Sequence, residues 1–189
     1  MDATAELLAE RSVLDLSVVD IARRADASPA TFYHYFENVE EVVLALADRA
    51  IEEMPAVLQL IQGVWRGQEG LARARAVVDA FLEHWDAHHP VLQLRNVLAD
   101  RGDRRFMRVR RDALGPVLDA LAGRIEEARA EGRVSESVHP WAAAAGMGSL
   151  LERLAAHQSE LAVRGVSRDD LRETCARILY QTVTGRSAP

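Results

Sequence analysis

Apolar residues recur three and four positions apart along almost the whole chain. No stretch alternates apolar with polar as a half-buried strand would. The pattern predicts helices throughout. A first short helix over about Ala3–Arg11 turns Ala5, Leu7 and Leu8 inward. A second follows Ser17, a good N-cap, with Asp20 three residues on as a weak capping box. Its apolar face is Val18, Ile21, Ala22 and Ala25. After a break at Asp26-Ala27-Ser28, a third helix takes Ser28 as its N-cap and Pro29 as its first residue, where the missing N–H is no loss. It ends near Phe36. A fourth begins at Asn38, with Glu41 at the capping-box position, and runs to about Met54 or beyond on Val42, Val43, Leu46 and Ala50.

Three glycines (Gly63, Gly67, Gly70) mark residues 62–70 as a linker. A fifth helix then carries the stripe Leu71, Ala74, Val78, Phe81, Leu82 and Trp85. Pro90 is expected to start a short sixth helix that stops at Arg101-Gly102. A long seventh runs from about Asp103 to Glu131 on Leu114, Val117, Leu118, Leu121, Ile125 and Ala128, with a kink expected at Pro116 and a stop at Gly132. An eighth begins at His139-Pro140 and passes Leu154. It is apolar nearly all round from Trp141 to Leu151, so both its faces should be covered. A ninth opens on Ser167, with Asp169 and Asp170 in its first turn, and presents Leu171, Cys175, Ile178, Leu179 and Thr182.

Composition adds limits. The 189 residues are 49% hydrophobic and 28% charged, enough apolar material for a sizeable core. No apolar run approaches the ~18 residues a membrane span needs, and Met1-Asp2-Ala3-Thr4-Ala5-Glu6 is no signal peptide. A cytoplasmic protein without a membrane partner is expected. The lone Cys175 excludes an internal disulfide and a cysteine-rich zinc site, and it is read as a core residue. His84, His88 and His89 cluster without a convincing further ligand, so neither metal nor cofactor is expected. No phosphate loop, nucleophile elbow, His-Glu-x-x-His or dinucleotide fingerprint occurs, which leaves no ground for an enzyme.

The net charge is −6, and all 23 basic residues are arginine. Residues 1–54 hold 4 arginines against 12 acids, whereas residues 55–189 hold 19 against 17. DNA affinity rests largely on phosphate neutralisation, so this acidic start is unfavourable for a polyanion partner. Arg23 and Arg24 are read as solvated charges or ion-pair partners.

The second and third helices, joined by three residues, fit a helix-turn-helix. Four of the ten aromatic residues fall in Phe32-Tyr33-His34-Tyr35-Phe36. Phe32 and Phe36 share one helix face and can turn inward. So short a helix cannot bury every ring, and exposed phenols and imidazole beside small residues suit a surface laid against phosphates and thymine methyls.

The run from Leu16 to Glu41, with Thr31-Phe32-Tyr33-His34-Tyr35-Phe36 at its centre and the acidic start of the next helix, resembles the DNA-binding head of the TetR/AcrR family of bacterial repressors. Leu151-Glu152-Arg153 resembles the ethionamide-resistance-regulator branch of that family. Asp26 stands where most relatives have glycine in the turn, and Val39 where many have lysine. The resemblance implies an all-α protein of about nine helices. Residues 1–47 would form the head and 48–189 a ligand-binding and dimerisation domain. By position it makes Ser28, Thr31, Tyr33, His34 and Tyr35 DNA contacts and puts Pro29 and Ala30 where bases are read; Ser17 completes the set. It further implies a homodimer through the eighth and ninth helices, a double-stranded operator, and an apolar small-molecule effector held among Phe81, Trp85, Leu114, Leu118, Met147 and Leu151. The expected function is a one-component repressor. The alternative is a helical ligand-binding or protein-interaction dimer whose degenerate head no longer binds DNA.

Overall fold

The computed structural model describes residues 1–10, 16–52 and 54–189, and every regular element among them is helical. The elements are α1 (Asp2–Glu10), α2 (Val18–Arg24), α3 (Pro29–Tyr35), α4 (Val39–Ile51), α5 (Met54–Ile61), α6 (Gly67–Asp100), α7 (Arg104–Ala130), α8 (Pro140–Ala156), α9 (Gln158–Val163) and α10 (Arg168–Thr184). The expected end of the first helix at Arg11 lies outside the described residues.

The helix starts follow their caps. Ser17, Ser28 and Asn38 are extended and accept from the backbone N–H groups of Asp20, Thr31 and Glu41. Glu41 reaches back to the N–H of Glu37, one residue before the expected box partner, at 2.7 Å. Ser167 and Asp170 form a complete capping box on α10. At the other end Gly185, at φ 64°, closes α10 in the left-handed conformation. A Cβ there would lie 2.3 Å from the Arg133 carbonyl oxygen, so glycine is required by space as well as by φ.

Three expected boundaries are corrected. The fourth helix stops at Ile51, and Met54 opens the separate α5. The linker is shorter than 62–70, because α6 starts at Gly67. Pro90 starts nothing: the expected fifth and sixth helices are one 34-residue helix that runs through it. An interior proline forfeits one backbone hydrogen bond and costs about 3 kcal/mol. Burial of Phe81 and Leu82 before it and Val91 and Leu92 after it outweighs that cost. Pro116 likewise lies inside a continuous α7. The short α9 follows a break at His157 that the apolar pattern does not signal.

The chain divides into two compact units: residues 1–52 with 88–112, and residues 53–87 with 113–189. In the first, Leu7, Leu8, Leu16, Ile21, Phe32, Val42, Val43 and Leu46 share a core with Val91 and Ala99 of α6 and Phe106 and Val109 of α7. In the second, Val78, Phe81, Leu121, Ile125, Leu171, Cys175 and Leu179 are buried. α10 is tied to α6 by three ion pairs, Arg75–Glu173, Asp79–Arg172 and Asp86–Arg168. The face of α8 bearing Trp141, Ala142, Gly146 and Ser149 is exposed in the single chain. Among the described residues no helix is long and apolar enough to cross a membrane.

Candidate nucleic-acid interface

α2 and α3 pack against each other, and α1 packs on α2 and α4. The turn between α2 and α3 closes when the N–H of Ala27 donates to the carbonyl of Ala22 at 2.9 Å. Asp26 makes the reversal at φ 50°, the left-handed region that aspartate tolerates better than most residues. Phe32, 8% exposed, anchors α3 in the core and meets Phe36 and Tyr33 at 5.7 Å between ring centres. With Phe32 inward, the rest of the helix turns out. Tyr33 is 59% and Tyr35 70% exposed, and Pro29, Ala30, Thr31 and His34 lie open beside them. Ser17 and Ser28 are exposed as well, so all eight expected contact residues sit on the outside of the helix-turn-helix.

Their hydrogen-bonding capacity differs. The Ser17 hydroxyl donates to the Asp20 carboxylate at 2.6 Å, so its proton is already used. Ser28 and Thr31 share one hydrogen bond of 2.9 Å between hydroxyls, which leaves one of the two protons for an outside acceptor. The Tyr33 and Tyr35 phenols and the His34 ring can donate outward. A hollow of about 470 Å³ lies beside them, lined by Ser17, Val18, Tyr33, Asn38, Val39 and Glu40, among others.

The cations of α2 are engaged. Arg24 forks onto Glu10 and also reaches Glu6, and these carboxylates push its pKa further up. It ties α2 to α1. Arg23 bonds Asp20 at 3.3 Å. The arginine that borders the helix-turn-helix comes from a distant part of the sequence: Arg105, in the first turn of α7, contacts Glu40 at 3.0 Å as well as its neighbour Asp103.

The six residues expected around an effector all belong to the second unit. Phe81 and Leu151 are buried; Trp85, Leu114, Leu118 and Met147 are half-buried. Leu118 packs against α8, where a Cβ on Gly148 would lie 2.7 Å from its methyl group. None of the six lines the hollows described in this unit. One, of about 440 Å³, is lined by Trp65, Arg66, Arg124, Glu131, Arg133 and Arg186, among others. Another, of about 450 Å³, lies by Asp86, Gln158 and Arg168. Sequence reasoning missed both, because their residues are scattered over more than 80 positions and share no motif. No three histidine, cysteine or carboxylate side chains gather as metal ligands among the described residues.

The fold and the exposed face of α3 define a helix-turn-helix protein. The family model described as "Bacterial regulatory proteins, tetR family" matches residues 1–46, and that described as "Tetracyclin repressor-like, C-terminal domain" matches residues 58–189. The chain belongs to the TetR family of transcriptional regulators. It is 36% identical over 90 residues to the HTH-type transcriptional regulator EthR of Mycobacterium tuberculosis and of Mycobacterium bovis. That match spans 47% of this chain and 42% of the relatives' length. In fold it resembles the transcriptional regulator FadR from Bacillus subtilis, solved in complex with stearoyl-CoA, with a TM-score of 0.68 and 18% identity over 98% of this chain and 96% of that one. The fatty acid degradation regulator FadR from Bacillus halodurans follows at 0.64 and 16%, over 98% and 96%. A TetR-family member from Streptomyces coelicolor A3 gives 0.58 and 22%, over 98% and 89%.

Proposed function

We propose that the chain is a one-component repressor that binds an inverted-repeat operator as a homodimer and is released by an apolar small molecule. Residues 1–47 are the reading head and 48–189 the ligand-binding and dimerisation domain. The observation that carries this reading is α3: Phe32 holds it against the core while Pro29, Ala30, Thr31, Tyr33, His34 and Tyr35 face outward. Pro29 and Ala30 suit thymine methyls, and the hydroxyl and imidazole groups suit phosphates. Two heads then enter successive major grooves about 34–36 Å apart, or a small multiple of that.

The dimer forms through α8 and α10, the elements expected as the eighth and ninth helices. The small exposed residues of α8 permit close approach of a second helix. The effector binds among Phe81, Trp85, Leu114, Leu118, Met147 and Leu151 and favours a conformation with wrongly spaced heads. Its power to release DNA equals its differential affinity for the two states. The stearoyl-CoA of the Bacillus subtilis structure makes long-chain acyl thioesters the first candidates to assay.

The test is fluorescence anisotropy of the full chain on labelled DNA from immediately upstream of its own gene, over a salt series, with scrambled DNA as control. Specific binding that weakens steeply with salt is expected. Absence of binding at low salt would favour the second reading, a ligand-binding dimer with a degenerate head. The excess of acids in residues 1–54 supports that reading.

A further inference from the structure

The acidity of the N-terminal sequence is not the charge of the unit it folds into. Residues 88–112, which join residues 1–52 in one compact unit, hold seven arginines against three aspartates. Six of the seven fall between Arg101 and Arg111, at the end of α6 and the start of α7. Phe106 and Val109 turn the inner face of this segment into the core. Arg104, Arg108 and Arg111, at helical spacing, occupy the outer face, and Arg101 stands exposed in the turn before them.

These cations are not equally engaged. Arg105 is held by Asp103 and Glu40, and Arg111 lies 3.5 Å from Asp112. Among the described residues no carboxylate pairs with Arg101, Arg104 or Arg108. Their neighbour Met107 is 51% exposed. Arg105, next to Arg104 in sequence, links this segment to the start of α4 through Glu40. Glu40, to which Arg105 is bonded, lines the same hollow as Ser17 and Tyr33. Arg105 thereby neutralises a carboxylate at the edge of the reading face, and the unpaired arginines begin beside it.

We infer that Arg101, Arg104 and Arg108 form an accessory phosphate-binding surface for double-stranded DNA, which grips the backbone outside the groove that α3 enters. The inference rests on the proposed DNA-binding function and supplies the positive charge that the head's own helices lack. A sequence-independent contact of this kind strengthens operator and scrambled DNA alike. Each phosphate contact contributes a slope of about 0.9 to the fall of log affinity with log salt.

The experiment compares the full-length wild type with Arg104→Gln/Arg108→Gln by anisotropy over a salt series, on the upstream duplex and on scrambled DNA. Arg129→Gln/Arg164→Gln, which removes equal charge from the second unit, is the control. The inference predicts that the Arg104/Arg108 variant loses affinity at least roughly tenfold on both duplexes, with a salt slope smaller by about 3.6, because the proposed dimer loses two contacts in each subunit. The control should keep the wild-type slope. Circular dichroism melts confirm folding, and single Arg104→Gln and Arg108→Gln variants, each expected to lower the slope by about 1.8 per dimer, replace the double if it is unstable. A slope equal to the wild type's, or an equal fall in the control, overturns the inference and leaves the proposed function standing. Failure of the wild type itself to bind either duplex removes the proposed function and this surface with it.

Discussion

Tyr33 and Asp26 show how single residues set the exposed face of the helix-turn-helix. The Tyr33 ring is mostly in solvent, so its removal leaves the core intact. Tyr33→Ala should weaken operator binding by about 1–2 kcal/mol, roughly tenfold, with an unchanged sedimentation coefficient. Unaltered DNA affinity would show that α3 is not the reading element. Asp26 carries the turn at positive φ, where a Cβ is disfavoured. Asp26→Gly should therefore stabilise the fold by roughly 0.5–1 kcal/mol, seen as a higher melting temperature. Much of this was legible in the sequence. Ser28, Pro29 and the Phe32/Phe36 spacing dictate where α3 starts and which way it faces. The pairing of the Ser17 hydroxyl with Asp20 was not, since only geometry shows which protons remain to be donated.

Among the elements, the amphipathic stripes located α1 to α4, α7, α8 and α10, because a residue at the wrong angle would leave the core; they missed α5 and α9 and split α6 in two. Val42, Val43, Leu46 and Ala50 are all buried on α4 as their spacing demands. What the pattern could not show is where tertiary burial overrides a local breaker, as at Pro90. Nor could it show which surface charges meet. The tie between α6 and α10 is such a case. Glu173 accepts two hydrogen bonds from Arg75, at 2.6 and 2.9 Å, and another from Arg177. Arg75 first, and Arg177 after it, hold the Glu173 carboxyl down at about 2. A depressed folded-state pKa gives stability that is complete above the ordinary glutamate range and is lost as pH falls toward 2. Melting curves of Glu173→Gln should lie below the wild type's near neutral pH and converge with them toward pH 2. A constant gap across that window would mean the pair contributes nothing through charge. The effect is modest, because both side chains are partly solvated.

For the whole molecule, the proposed assembly is tested on α8. Nothing lies within 4 Å of a Cβ built on Gly146, and the residue is exposed. Gly146→Arg fits the single chain and improves its helix propensity, yet obstructs a second helix laid on that face. Sedimentation velocity should report monomer, and operator affinity should fall by at least about tenfold when two linked heads become one. A dimer that persists would place the interface elsewhere. The charge of the molecule teaches a related lesson: the acidic first 54 residues were plain in the sequence, whereas their pairing with residues 88–112 depends on which parts of the chain fold together. Cys175 carries a practical consequence for following such changes. It is the chain's single cysteine, 2% exposed, and burial pushes its thiol pKa up, so it is slow to react. A second cysteine introduced at the exposed Val19 of α2 would take a spin label selectively against this silent background. One label per head would then turn the spacing between the two heads of a dimer into a directly measurable distance, recorded with and without effector on an otherwise native chain.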